Sequence, residues 1–321
     1  MTIAQPIKLG IVMDPISDVK VAKDSSMAMM LEAQQRGYQI YYMEMADLYL
    51  YQGQCRASTR QITVFDDSEL WYQLEDVEDI AVEELDAVLM RKDPPFDTEY
   101  IYATHMLERA EAAGTLIVNK PQSLRDCNEK LFTAWFPELT AKTLVTRQSN
   151  KIRDFHLQEK DVIIKPLDGM GGSSIFRIKA DDANVGVIIE TLTKHGQQYA
   201  MVQEYMPEIT DGDKRILIVN GEVIPYCLAR IPAQGETRGN LAAGGRGEAR
   251  PLSASDQLIA ETIAPELKKR GLYFVGLDVI GDKVTEINVT SPTCIREIET
   301  NYPINISGKL MDAIEENIQA R

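Results

Sequence analysis

The chain predicts two architectures in series: an α/β lobe built on a parallel sheet, followed by an α+β region rich in hairpins. Three observations carry this. Up to Val118, short apolar runs alternate with helix-length segments, and strand–helix–strand alternation builds a parallel sheet with helices on both faces. Later, apolar runs succeed one another with turn residues between them, Asn220-Gly221 being the strongest hairpin signal. Finally, 321 residues exceed what one small core organises, so two or three packed lobes are expected.

In the first lobe, residues 7–13 read as a buried strand ended by Asp14-Pro15. Asp24 and Ser25 can cap a helix to Arg36, with Gly37 at its stop. Residues 38–43 and 87–90 are further strands, the second ended by Arg91-Lys92-Asp93-Pro94-Pro95. Thr98 can cap a helix to Ala113 that Gly114 stops, and residues 115–118 form the next strand. The stretch 65–82 reads as variable surface, and a helix beginning at Ser123 would carry Lys130. This lobe is placed at residues 1–125.

Beyond it, strand-like runs span 143–146, 162–167, 175–178, 200–205, 216–219 and 222–231, with a helix over 184–195. Pro225 inside its run demands a sheet edge or a bulge. Residues 232–248 break the rhythm with five glycines and two arginines, and long loops of this kind in compact proteins are functional or disordered. A helix over 255–270, kinked at Pro265, two strands over 273–280 and 284–290, and a last helix over 308–318 complete the reading. There is no internal repeat.

Composition narrows the function. A formal net charge of −15 argues against nucleic acid or an anionic membrane surface as partner, since both need a basic face. No apolar run approaches the ~20 residues of a membrane helix, and no signal peptide is read at the start. Cys55, Cys127, Cys227 and Cys294 are scattered without a CxxC, which fits a reduced, cytoplasmic setting. His105, His156 and His195 are equally dispersed, so neither a histidine zinc site nor a Ser-His-Asp triad is expected.

The residues that carry chemistry are of other types. Lys165 ends a strand before Pro166, and Gly169-Met170-Gly171-Gly172-Ser173-Ser174 follows. Glycines let backbone N–H groups approach phosphate oxygens, and the lysine supplies a point charge to them; a plain turn between strands reads equally well. Glu286 and Asn288 share one face of a strand by period-two alternation and offer Mg²⁺-type oxygen donors. A two-residue turn at Gly281-Asp282 would set Asp278 opposite Thr285, whereas a three-residue loop over 281–283 would pair it with Glu286, so the metal reading predicts a bulged turn. A solvated polar face is the plainer alternative.

Asp213 and Lys214-Arg215 precede one strand and Arg230 ends the next, a set that can meet a ribose and phosphates or merely form a charged turn. Gln203, Glu204, Tyr205 and Met206 end a strand where backbone groups can meet an adenine edge. Arg238 and Arg246 in the glycine-rich loop suit a lid that excludes water from phosphates. Arg91 sits at a strand's C-terminal end, where α/β sheets bind ligands, while nothing local distinguishes Lys130.

Together these residues resemble the ATP-grasp superfamily, and more closely the bacterial glutathione synthetases over nearly the whole chain. The resemblance rests on Met90 through Asp97, on Val118-Asn119-Lys120-Pro121 and Arg125 through Lys130, and on Lys165 through Gly172. It rests also on Gly239 through Gly247 and Thr285 through Thr293. It implies an ATP-grasp fold with an N-terminal Rossmann-like (pre-ATP-grasp) parallel-sheet lobe, in three lobes at 1–125, 126–205 and 206–321. It implies a ligase that joins γ-glutamylcysteine and glycine using ATP, through an acyl phosphate. Carried over by motif, Lys130, Lys165, Gly171 and Gly172 would hold phosphates, Gln203, Glu204, Tyr205 and Met206 adenine, and Asp213 ribose. Asp278, Glu286 and Asn288 would hold two Mg²⁺, with Mn²⁺ as substitute. Arg215 and Arg230 would stabilise the acyl phosphate, and residues 231–247 with Arg238 and Arg246 would form its lid. Arg91, Ser291, Pro292 and Thr293 would contact peptide or glycine. A homo-oligomer is implied, a tetramer with a dimer as alternative.

The rival readings are another amino-acid or dipeptide ligase of the same fold, a small-molecule kinase and a non-catalytic nucleotide sensor. The full set of candidate metal ligands and both lysines speak against the sensor. Replacing residues 236–245 by a short linker is expected to raise ATP hydrolysis relative to ligation; normal coupling in the deleted protein would remove the lid role.

Overall fold

The computed structural model describes residues 6–169, 171–233, 239 and 244–320. Its first sheet contains β1 (Lys8–Val12), followed by α1 (Ser25–Gln35) and β2 (Gln39–Met43). The chain continues through β3 (Leu48–Tyr51), β4 (Gln54–Val64), β5 (Tyr72–Ala81) and β6 (Ala87–Met90) to α2 (Thr98–Ala113), β7 (Leu116–Val118) and α3 (Pro121–Asp126). β1 pairs in parallel with β2 and β6, and β6 with β7. β3, β4 and β5 join antiparallel beyond β2, so the sheet is mixed rather than purely parallel.

The stretch 65–82, expected as variable surface, therefore largely builds β5. Its middle is exposed on both sides and acidic, with Glu75, Asp76, Glu78 and Asp79, and it lacks the apolar alternation by which a strand is recognised. β4 alternates from Gln54 to Thr59, but its inward residues there, Cys55, Ala57 and Thr59, are small or polar, and the alternation breaks at Arg60-Gln61. α1 starts where expected, Asp24 accepting from the Met27 N–H at 2.7 Å. α2 is capped by Asp97, one residue earlier than read, through the Tyr100 N–H at 2.9 Å. Lys130 is not on a helix. α3 ends at Asp126, and the Asn128 side chain accepts the N–H groups of Lys130 (3.1 Å) and Leu131 (2.9 Å), turning the chain toward the second half.

The middle sheet contains β8 (Thr143–Thr146), β9 (Asp161–Pro166), β10 (Phe176–Lys179) and β11 (Ala200–Glu204) in the order β10-β9-β11-β8. With α4 (Ser149–Glu159) and α5 (Val185–Thr193) it closes a core of its own around Ile152, Val162, Ile164, Ile178, Ile189 and Val202. The last sheet runs β14-β13-β12-β15-β16 and comprises β12 (Asp213–Val219), β13 (Glu222–Ile231), β14 (Arg246–Pro251), β15 (Phe274–Ile280) and β16 (Lys283–Asn288). The helices of this part are α6 (Ala254–Lys269), α7 (Ile295–Glu299) and α8 (Ile306–Gln319).

Asn220 and Gly221 form the hairpin turn with φ of 48° and 81°, the left-handed pair that a two-residue turn of this hand requires. β13 lies inside the sheet, so Pro225 is accommodated by a register shift between β12 and β13 rather than by an edge. α6 continues through Pro265 without ending. Of the expected lid span 231–247, Arg246 and Gly247 already belong to β14, while Arg238 lies outside the described residues.

The first and last sheets share their cores: Val12, Met90 and Leu107 pack in one cluster with Ile216, Leu277 and Ile287. Leu9, Met29 and Leu89 pack in another with Leu217, Leu310 and Ile314. Asn119 stitches the two sheets. Its buried amide donates to the carbonyls of Phe274 (2.8 Å) and Val289 (2.6 Å) and accepts the Phe274 N–H at 2.9 Å. Asn119→Ala leaves three buried backbone groups unpaired, each worth about 1–3 kcal/mol. Urea unfolding should show a loss of at least about 3 kcal/mol, and a loss well below that would mean the joint is held by the apolar contacts alone.

Candidate active site

The three sheets meet at one cavity of about 300 Å³. β9 and β11 contribute Ile163, Lys165, Gln203 and Glu204, and Tyr205 and Met206 continue that wall. The last sheet contributes Asp213, Arg215, Arg230, Asp278, Glu286 and Asn288. Asp93 and Pro94 after β6, and Ser291 through Cys294 after β16, close one end.

The acidic corner follows from strand register. β15 and β16 close on a two-residue turn, with Ile280 opposite Lys283 and Val279 opposite Val284, so the three-residue loop expected from sequence does not form. The extra residue sits within β16 instead. Thr285 bulges and donates its hydroxyl to the Asp278 carbonyl at 3.1 Å, and beyond it Asp278 pairs with Glu286. Asn288, two residues further, shares the Glu286 face.

Arg215 lies opposite Asp278 on β12 and grips it with Nε at 2.6 Å and Nη2 at 3.1 Å. Arg230, opposite Asp213, bonds Asp213 at 2.5 Å and lies 3.0 Å from Asp278. Burial alone would raise the Asp278 carboxyl; the two guanidiniums overcome it and hold Asp278 well below the usual carboxylate range. Burial pushes Asp213 up to about 7 against the pull of Arg230, and its Oδ1 has no partner among the described residues.

On the facing wall, Lys130 bonds the Gly169 carbonyl at 2.7 Å and the Glu129 carboxylate, and lies 3.4 Å from Glu286. Lys165 lies 3.7 Å from Glu286. Burial lowers Lys165, whereas at Lys130 the carboxylates of Glu286 and Glu129 outweigh burial and raise it. The loop between β9 and β10 needs its glycines. Gly171 and Gly172 take φ of 63° and 78°, and a Cβ on Gly169 would come within 2.7 Å of the Pro166 ring. Gln203 is fixed by Thr143 at 3.0 Å, and Arg177 covers the Tyr205 ring at 3.5 Å.

Three expected residues do not line the cavity: Lys130 stands behind its wall, and Arg91 and Arg246 lie elsewhere. Arg91 is buried, donating to Ser26 (3.0 Å) and to the Pro292 carbonyl (2.9 Å). Arg246 is 73 % exposed, 3.3 Å from Glu248. The sequence reading passed over Glu129, Asp93, Thr290 and Cys294, which do line it. Glu129 stands beside Lys130 in a quoted motif, but no spacing marks it. Burial and the neighbouring Glu286 raise its carboxyl.

The donor set suits a hard cation. Two carboxylates and an amide, on neighbouring strands and facing a polar cavity, leave coordination positions for water and phosphate oxygens. No group of three or more His, Cys, Asp or Glu gathers as a self-sufficient metal cage among the described residues. With lysines and arginines opposite, the cavity can take a polyphosphate and a divalent ion. Among the described residues its cysteine is not an activated nucleophile, because burial raises the Cys294 thiol.

Comparison with known proteins gives a consistent result. The family model described as prokaryotic glutathione synthetase, N-terminal domain, matches residues 7–125, and that described as prokaryotic glutathione synthetase, ATP-grasp domain, matches residues 129–303. The glutathione synthetase of Vibrio parahaemolyticus is 69 % identical over 313 residues, 98 % of this chain and 99 % of the relative. That of Photorhabdus laumondii is 68 % identical over 314 residues with the same coverage. Among solved structures, D-cycloserine synthetase DcsG superposes with a TM-score of 0.67 at 14 % identity, over 97 % of this chain and 99 % of that one. The ATP-grasp ligase PsnB, complexed with minimal precursor, Mg and ADP, gives 0.62 at 19 % identity over 97 % and 98 %. At such identities these two share the fold alone.

Asp278→Asn breaks a buried ion cluster and should cost about 3–5 kcal/mol at pH 7. The folded carboxyl titrates below its ordinary value of 3.8, so its stabilisation is fully present above that value and is lost as pH falls toward the folded one. The stability gap between parent and variant should therefore be flat from about pH 5 to 7 and shrink below about pH 4. A gap independent of pH in urea unfolding would show that charge is not what Asp278 contributes.

Proposed function

The chain belongs to the prokaryotic glutathione synthetase family, ligases of ATP-grasp fold that form glutathione using ATP and a divalent metal, and from this we propose how its own residues carry the reaction. The peptide substrate is γ-glutamylcysteine. Its terminal carboxylate takes the γ-phosphoryl group of ATP, giving ADP and an acyl phosphate; the amine of glycine then forms the amide bond, phosphate leaves, and the amine loses its proton. Such chemistry needs positioning and charge neutralisation more than covalent help from the protein.

Lys130 and Lys165 would bind the ATP phosphates, under backbone N–H groups of Gly171 and Gly172. The strand end at Gln203, Glu204, Tyr205 and Met206 would hold adenine, and the unpartnered Asp213 oxygen is suited to a ribose hydroxyl. Asp278, Glu286 and Asn288 would hold Mg²⁺, two ions when fully loaded, with Mn²⁺ as substitute. A metal held by these residues would supply neutralisation of the phosphate charge. Arg215 and Arg230, whose guanidiniums stay charged, would steady the acyl phosphate. The turn at Ser291, Pro292 and Thr293 would face peptide or glycine. The observation that carries this reading is the meeting of the Asp278, Glu286 and Asn288 face with Lys165 in one cavity, Lys130 standing directly behind.

The three lobes at 1–125, 126–205 and 206–321 fit the same reading, each holding one of the three sheets. A homotetramer, with a dimer as alternative, would show in light scattering. A cytoplasmic site of action is in keeping with the absence, among the described residues, of any helix long and apolar enough to cross a membrane.

With Mg²⁺, ATP and γ-glutamylcysteine, ADP release should depend on glycine and yield one tripeptide per ADP by mass. A stable phosphopeptide would point to a kinase, and glycine-independent release to another acceptor. Glu286→Gln should lower Mg²⁺-dependent turnover by about two orders of magnitude or more with the fold intact; unchanged turnover would remove Glu286 from the metal site.

A further inference from the structure

The turn after β16 lines the substrate end of the cavity with Ser291, Pro292, Thr293 and Cys294. It begins three residues beyond Asn288, and Cys294 adopts a φ of 91° to start the five-residue α7. Within it Thr293 Oγ1 and Cys294 Sγ lie 3.7 Å apart, a weak contact between adjacent residues that does not place the turn against the rest of the molecule. Both ends are held by the first lobe instead. Arg91 donates Nη2 to the Pro292 carbonyl at 2.9 Å, and the Ser25 hydroxyl accepts the Ile295 N–H at 3.3 Å. Arg91 is itself aimed by Ser26, which accepts its Nε at 3.0 Å, and by the Phe274 ring, 5.5 Å beneath the guanidinium.

Arg91 is a costly way to fasten a turn. It is 5 % exposed, burial lowers its pKa, and Asp24 and Asp93 act on it only through space, with no carboxylate at ion-pair distance among the described residues. A buried charge without a direct partner is unfavourable, and an apolar side chain would fill the same volume at lower cost. What an apolar residue lacks is a rigid donor fork that fixes one carbonyl at a set distance. The position of that carbonyl matters. A Cβ on Gly276 would lie 2.9 Å from Pro292 Cβ and 2.8 Å from Arg215 Cδ, so the turn and the Arg215 side chain press on the same point of β15. Displacing Pro292 displaces the wall of the substrate pocket and the neighbour of a phosphate-facing guanidinium together.

We propose that Arg91, oriented by Ser26, is a positioning residue of the first lobe that sets the turn at 291–294 and thereby the pocket for the substrates other than ATP. This rests on the function proposed above. The wall proposed for the nucleotide, Lys165 and Gln203 to Tyr205 in the middle lobe with Met206 just after it, is untouched by Arg91.

The test is steady-state kinetics on the full-length protein for Arg91→Met, Arg91→Lys and Ser26→Ala, with KM measured separately for ATP, γ-glutamylcysteine and glycine. Loss of a charged hydrogen bond predicts that Arg91→Met raises KM for γ-glutamylcysteine or glycine by about tenfold or more, while KM for ATP stays within about twofold. Arg91→Lys, which keeps one donor, should recover part of the loss. Should Arg91→Met fail to fold, Ser26→Ala leaves the Pro292 bond in place and should raise the same KM by about two- to fivefold. Unchanged substrate KM values in folded variants, or equal rises for ATP and the other substrates, overturn the proposal. A parent protein that makes no tripeptide from these substrates overturns the underlying reading instead.

Discussion

One buried carboxylate organises the centre of this protein. Asp278 sits between two guanidiniums, Arg215 and Arg230, delivered by neighbouring strands β12 and β13. Each charge would be unfavourable alone in that position, and each is tolerable only because the others are there. The strand order β13-β12-β15-β16 is what brings them into register, and the Thr285 bulge turns Glu286 to the same side. The cavity-lining arginines and the oxygens of Asp278, Glu286 and Asn288 are thus one electrostatic unit. Arg215 and Arg230 are held in place before any ligand arrives, which is the condition under which fixed charges stabilise a transition state most effectively.

Around that unit the lobes divide the work unequally. The first and last sheets share two cores and are stitched by Asn119, so they behave as one mass. The middle sheet brings Lys165, the glycine loop and the strand end at Gln203 to the cavity, on a small core of its own. The cavity lies on the seam between a large body and a small one. Lys130, just before the middle sheet, reaches across that seam to Gly169 on one side and Glu286 on the other.

Much of this was legible in the residues because the relevant signals are local. Asp24 as a helix cap, Asn220-Gly221 as a hairpin and the period-two pairing of Glu286 with Asn288 are each set within a few positions. β5 was hidden because an acidic edge strand carries no apolar alternation. The Asp278–Glu286 pairing was anticipated, but the device was not: a bulge at Thr285 and a bulged turn deliver the same register, and sequence does not separate them. Arg91 was read as a substrate contact from the family resemblance; the neighbours that hold it, Ser26 and Pro292, are far away in the chain and left no local signal. Glu129 gave no sign at all, since its environment is made by Lys130, Glu286 and burial acting together.

The separate core of the middle sheet bears on how the molecule breathes. A small apolar cluster such as that around Ile152, Ile164 and Ile189 opens before the larger shared cores do, so amide protons on β9 and β11 exchange from a sub-global opening rather than from complete unfolding. On the proposed function, a nucleotide touching both sides of the seam would bind only with that sheet in place. Its binding energy therefore flows mainly into the weakest cooperative unit of the fold. Ligand occupancy and resistance to proteolysis are then coupled in the same segment, and the protein without nucleotide is most vulnerable where it is most needed.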